Sequence, residues 1–128
     1  VWFAGGRPLS EVCPPEMSDA FPEEFTVEAG DYCIVKPRFS AFFSTQLDLL
    51  LRRLGVDTVI LAGTTTPNCI RTTCYDALSL DYDVVVLSDC TSSVTDEVQS
   101  ANLCDMARIG ARICTGAELP TLLGEARA

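Results

Sequence analysis

The chain reads as short apolar runs alternating with helical periodicities. Thr58-Val59-Ile60-Leu61-Ala62 is a continuous apolar segment, the pattern of a strand buried on both faces. Val84 to Leu87 repeats it, entered from Asp83, and Ala111 to Cys114 can form a last short strand. Tyr32-Cys33-Ile34-Val35 predicts another strand, stopped by Lys36-Pro37. Between these runs, Leu47, Leu50, Leu51 and Leu54 recur at i, i+3, i+4 and i+7, one buried helix face. Ser44 or Thr45 is expected to cap that helix and Gly55 to follow its last turn. A second helix runs to Leu80, and a third from Thr95 to Ile109, where Gly110 ends it. Residues 1–30 carry Pro8, Pro14, Pro15 and Pro22 among acidic clusters and read as a long loop or the stub of an element. The tail from Gly116 to Ala128 is weakly patterned. Strand–helix alternation with short connections predicts a single α/β domain over residues 1–128. Its expected form is a three-layer α/β/α, Rossmann-like sandwich with a mostly parallel sheet.

Composition narrows the partners. Of 128 residues, 48% are hydrophobic and 21% charged, enough for a core and for a polar surface. The net charge of −9 argues against nucleic acid and against an anionic membrane surface. No apolar run is long enough to span a bilayer. The start, Val1 to Gly6, shows no basic opening of a signal peptide. The seven cysteines (Cys13, Cys33, Cys69, Cys74, Cys90, Cys104 and Cys114) are odd in number and scattered. They read as reduced, mostly buried thiols of a cytoplasmic protein. The chain contains no C-x-x-C pair and no histidine, which excludes a Cys-His dyad and any His-ligated metal.

Ligands of open parallel sheets bind at the carboxyl ends of strands. Lys36, the loop Gly63 to Cys69, and Asp89 all fall at such ends. In the loop, Thr66 is placed to cap a helix with Pro67 at its first position, so Cys69 sits in the first turn. Free backbone N–H groups and the helix dipole favour a thiolate there and can stabilise an oxyanion. From position alone, a buried core thiol is about as good a reading. Lys36 near Cys69 would favour the thiolate, although a lone lysine is more often a surface residue. Arg38 and Arg71 can pair with a substrate carboxylate or make structural ion pairs. Phe39, Phe42 and Phe43 can line a pocket for a planar group or simply fill core. Asp89 is a site acid or, more commonly at a strand end, a turn cap.

The segments Val35-Lys36-Pro37-Arg38-Phe39-Ser40-Ala41-Phe42-Phe43-Ser44-Thr45-Gln46-Leu47-Asp48, Gly63 to Ala77, and Val86-Leu87-Ser88-Asp89-Cys90 together resemble the isochorismatase-like cysteine hydrolases. These include nicotinamidases, N-carbamoylsarcosine amidohydrolases and ureidoacrylate amidohydrolases. The resemblance covers Asp31 to Ile113 in order, and its K-P-R-[FY]-S-x-F and T-x-x-C-[IV]-R-x-T runs are specific in combination. It implies that Cys69 is the nucleophile and Lys36 its catalytic lysine. It also implies an oxyanion hole from the backbone N–H groups of Thr65 and Cys69, a cis peptide between Thr64 and Thr65, a sheet of order 3-2-1-4-5-6, and homo-oligomers (dimer or tetramer). Arg38, Phe39, Phe42, Asn68 and Arg71 are the candidates for substrate contacts.

Two departures from the family pattern matter. Without histidine, a nicotinamidase-type metal site is not expected, and no cofactor is implied. The family's catalytic aspartate lies on the first strand in a D-x-Q-x-D-F-like run, which is absent, and Asp19 and Asp31 stand in other contexts. In the implied order that strand is central, between the Lys36 strand and the Cys69 strand, so its loss leaves two unpaired edges. The chain is therefore expected to be the C-terminal portion of a longer protein, with Val1 near the end of strand 2. The expected function is cysteine-dependent hydrolysis of a C–N bond (amide, carbamoyl or ureido) in a small molecule through a thioester. The alternatives are an isochorismatase-type vinyl ether hydrolase, or an inert scaffold or oligomerisation module if these residues are all there is.

Overall fold

A computed structural model describes residues 26–125 together with 3–4 and 7–8. They fall into two units, residues 1–35 and 36–128. In the first, Phe3–Ala4 (β1) and Arg7–Pro8 (β2) pair antiparallel. The expected strand Tyr32–Val35 does not form. Tyr32 is 63% and Val35 84% exposed. A strand is stabilised by its ladder and cross-strand neighbours, so an apolar run without a partner has no reason to stay regular.

The second unit holds the parallel sheet and its helices: α1 (Leu47–Arg53), β3 (Thr58–Thr64), α2 (Arg71–Ser79), β4 (Asp83–Ser92), α3 (Asp96–Arg108), β5 (Arg112–Cys114) and α4 (Leu119–Glu125). The sheet order is β3-β4-β5, with both pairings parallel. Gln46 occupies the cap position of α1, one residue beyond the expected Thr45. Thr45 still serves that end, its Oγ1 accepting from the Leu47 N–H at 3.2 Å. Thr95 caps α3 as its sequence position predicts, accepting from the Val98 N–H. β4 is longer than its apolar run, continuing through the polar residues to Ser92.

Alternation along β4 divides the core. Val84 and Val86 pack with Ile70, Cys74, Ala77, Tyr82, Met106 and Ala111, joined by Leu51 of α1 and Leu103 of α3. Val85, Leu87 and Cys114 face the other way, against Leu119 and Leu122 of α4. The weakly patterned tail thus forms a helix whose i, i+3 leucines cover the second face. Helices on both faces make the three-layer α/β/α arrangement. β3 departs from expectation: it is an edge strand among the described residues, and Ile60, on the face away from α2, is 42% exposed. Its apolar run is covered on one side only.

The cysteines also depart from expectation. All six that are described are free thiols; Cys74 and Cys114 are buried, Cys69 is half-buried, and Cys33, Cys90 and Cys104 are exposed. Cys13 lies outside the described residues.

Two carboxylates hold the turn between β5 and α4. Asp89 Oδ1 accepts from the Gly116 N–H at 2.9 Å, and Glu118 Oε2 accepts from the Thr115 N–H at 2.8 Å. Asp89 lies within β4, three residues before its end, and ties down the turn after the neighbouring strand β5. The Gly116 N–H holds the Asp89 carboxyl below its ordinary value of 3.8, and the Thr115 N–H holds Glu118 below 4.5. A carboxyl depressed in the folded state stabilises the fold above its unfolded pKa, and that stability is lost as pH falls through the folded value. The acid limb of thermal stability, starting near these ordinary values, should be shallower in Asp89→Asn than in the parent. Melting temperatures measured between about pH 6 and about pH 3 check this; parallel curves would remove Asp89 from the acid response.

Candidate active site

The end of β3 is bent by a register break. Leu61 pairs with Val86, but Gly63 pairs with Thr91 and Thr64 with Ser92, so a step of two on β3 meets a step of five on β4. Gly63 has φ +121°, a backbone region that side chains with a Cβ rarely enter. The break aims the chain into the loop that follows, much as a bulge does beside many active sites.

The Thr64–Thr65 peptide is cis. Thr65 is extended (φ −107°, ψ 146°) and caps a single π-type turn, Thr66–Ile70, that runs directly into α2. The cap therefore falls one residue before the expected Thr66, with Pro67 in the first turn. The wide turn is marked by the Ile70 N–H donating five residues back to the Thr65 carbonyl at 3.3 Å. Thr66 is buried instead, and its Oγ1 donates to the Ser92 carbonyl at 3.0 Å, pinning the loop to the end of β4. The Asn68 side-chain amide donates to Thr65 Oγ1 at 3.1 Å, so its N–H is committed within the loop.

Cys69 lies in this turn, half-buried. Its Sγ accepts a hydrogen bond from Lys36 Nζ at 3.3 Å. Nζ also donates to the Arg38 carbonyl at 3.1 Å, which points the ammonium along its own arm. That arm reaches α2, where the Ala41 N–H donates to Thr73 Oγ1 at 3.0 Å. Buried Ser40 accepts from the Phe42 N–H, closing a tight local turn. The structure thus brings Lys36, Cys69, Thr65 and Asn68 into one place.

It assigns two other candidates elsewhere. Arg71 is committed to α3: Nη2 lies 2.7 Å from Asp105 Oδ2, Nη1 donates to Asn102 Oδ1 at 3.2 Å, and the guanidinium lies over the Tyr75 ring. A cation already paired this way ties α2 to α3 rather than standing open for a substrate carboxylate. Phe42 belongs to the core, stacked on Tyr82 with ring centroids 5.8 Å apart. Phe39 is half-buried, and Arg38 is exposed with Nη1 donating to the Pro37 carbonyl. An open groove lined by Pro67, Arg71, Thr72, Tyr75 and Asp76 runs beside α2, and Cys69 is not part of its wall.

Three side chains hold the site through partners distant in sequence: Thr66 on Ser92, Thr73 on Ala41 and Asp105 on Arg71. Thr66 and Thr73 open and close the T-x-x-C-[IV]-R-x-T run, with Thr66 expected only as a helix cap, while Asp105 carries no signal in the sequence. Among the described residues, no carboxylate hydrogen-bonds to Cys69, and no cluster of three or more His, Cys, Asp or Glu is placed to hold a metal. Asp31 accepts from the Glu28 N–H, and Asp19 lies outside the described residues.

The chain is similar to known proteins in sequence and in fold. The family model for the isochorismatase domain matches residues 4–118. A protein of Arabidopsis thaliana described as a probable inactive nicotinamidase is 51% identical over 89 residues, which is 69% of this chain and 45% of that protein. The maleamate amidohydrolase of Pseudomonas putida is 34% identical over 106 residues, 83% of this chain and 50% of the relative. The crystal structure of an isochorismatase family protein from Desulfovibrio vulgaris superposes with a TM-score of 0.76 at 45% identity, covering 77% of this chain and 52% of that one. The chain spans about half the length of the curated relatives it matches.

Two cysteines five residues apart now have opposite surroundings. Cys74 has 0% exposure, and burial pushes its thiol up to about 11. Iodoacetamide near neutral pH should modify Cys69 in the native protein and spare Cys74, as read by peptide mass mapping. Comparable labelling of both would contradict the packing of α2.

Proposed function

The chain belongs to the isochorismatase family, and we propose that it carries the nucleophile of a cysteine-dependent hydrolase acting on a C–N bond of a small molecule. The observation that carries this reading is the 3.3 Å contact of Lys36 Nζ with Cys69 Sγ at the opening turn of α2. A cation beside the sulfur favours the thiolate, and the thiolate is the nucleophile. The substrate class takes its support from relatives such as the amidohydrolase acting on maleamate.

In the proposed reaction, Cys69 gives its proton to a general base, and its sulfur attacks the amide or carbamoyl carbon. The carbonyl electrons move onto oxygen, and the backbone N–H groups of Thr65 and Cys69 hold that oxyanion. Collapse breaks the C–N bond as the base returns its proton to the departing amine, leaving a thioester on Cys69. Water then attacks the thioester, losing a proton to the same base; the acid leaves and the sulfur is reprotonated. Lys36 stabilises sulfur's charge at both ends of the cycle. The general base of this proposal is the aspartate that the family resemblance leads one to expect on a first strand; among the described residues, no carboxylate hydrogen-bonds to Cys69. A homo-oligomeric state belongs to the same proposal.

One observation favours a second reading, an inert member of the family. A relative 51% identical over 89 residues, 69% of this chain, is described as a probable inactive nicotinamidase. The vinyl ether alternative is weaker, because such chemistry has no use for a cysteine held against a lysine.

Ammonia release from a panel of small amides, carbamoyl and ureido compounds decides between activity and inertness. For any compound that is cleaved, Cys69→Ala should abolish turnover, and Cys74→Ala should retain it with a modest loss of stability of about 1 kcal/mol. Substantial turnover by Cys69→Ala would refute the assignment.

A further inference from the structure

We propose that Thr73 is a positioning residue that sets Lys36 against Cys69; the inference rests on reading Lys36 and Cys69 as a catalytic pair. Lys36 stands on an arm with no regular structure, at the end of a long and freely rotating side chain. Holding such an ammonium on one sulfur requires the arm itself to be fixed, since each unfixed rotor disperses it. Its own hydrogen bond to the Arg38 carbonyl is local and moves with the arm.

Ala41 is a point where the arm is fixed to the helix. Its N–H donates to Thr73 Oγ1 at 3.0 Å, and its carbonyl accepts from Thr45 Oγ1 at 2.5 Å. Both polar groups of one residue are thus claimed by threonine hydroxyls, one on α2 and one just ahead of α1. Thr73 is itself only 6% exposed, so its hydroxyl has little water to turn to. It also lies four residues after Cys69 in the same continuous helical stretch, close to the same face. One face of that stretch therefore carries the sulfur at one end and the anchor of the lysine's arm at the other. The spacing from Lys36 to Ala41 then lays the arm back toward Cys69.

The test is the rate at which iodoacetamide modifies Cys69, read by peptide mapping with exposed Cys104 as internal standard, and with melting temperatures measured in parallel. Thr73→Val removes the acceptor at similar size, and should slow Cys69 by about five- to tenfold while leaving Cys104 unchanged. Thr73→Ser keeps the hydroxyl and should restore the rate. Lys36→Met should slow Cys69 to a similar degree, and Thr73→Val should add nothing in that background. If Thr73→Val does not fold, Thr73→Ala is read in its place. A Cys69 rate untouched by Thr73→Val, with Lys36→Met still slow, would leave the pair standing and overturn the role of Thr73. Equal slowing by Thr73→Val with and without Lys36 would overturn it as well. If Lys36→Met itself has no effect, the catalytic pair fails and this inference falls with it.

Discussion

The seam between α2 and the sheet is the contact on which the rest of the site depends. Cys74 and Ala77 are small and fully buried, and they let the helix settle closely onto Val84, Val86 and Met106. Close-packed interiors leave little freedom to slide, so this seam fixes the rotation and depth of α2. Because the π-type turn runs into α2 without interruption, the same packing fixes where Cys69 emerges. Arg71 adds a second restraint by reaching across to Asn102 and Asp105 of α3. As a partly exposed ion pair it contributes little energy, but its forked geometry limits how the first turn can rotate.

The two halves of the site are built differently. The Cys69 half rests on regular structure: a strand end, a bulge-like break at Gly63, the Thr66 bond to β4, and a packed helix. The Lys36 half is irregular and is held by side-chain hydrogen bonds to its backbone. Rigid elements place a reactive atom more accurately than loops do. The arrangement puts the nucleophile on the stiffer support and leaves the cation on the more compliant one.

How much of this could be read from the chain alone follows from how local each feature is. The leucines of α1 and the valines of β4 announce themselves because helix and buried-strand periodicity are properties of a short window. The turn carrying Cys69 was legible for the same reason, through Pro67 and the threonines ahead of it. Tyr32–Val35 misled because an apolar run is a strand only if another strand lies beside it. Thr58–Ala62 formed a strand, yet whether both its faces are covered depends on elements far away in sequence. α4 was missed because Leu119 and Leu122 are too few to show a period. The contacts of Arg71 and Phe42 show in no short window, because their partners Asp105 and Tyr82 are separated from them by 34 and 40 positions. Lys36 beside Cys69 is equally non-local, and only the combination of two sequence runs hinted at it.

That separation has a consequence for timing. Lys36 and Cys69 are 33 residues apart, and what joins them is the native packing of an arm on a helix. In a nascent or partly folded chain, Cys69 is one thiol among seven, with no feature to distinguish it from Cys33 or Cys104. On the proposed reading, its special reactivity is acquired only once the arm has packed on the helix. The protein thus passes through its vulnerable early life without a primed nucleophile, and the completed fold is its own activation step.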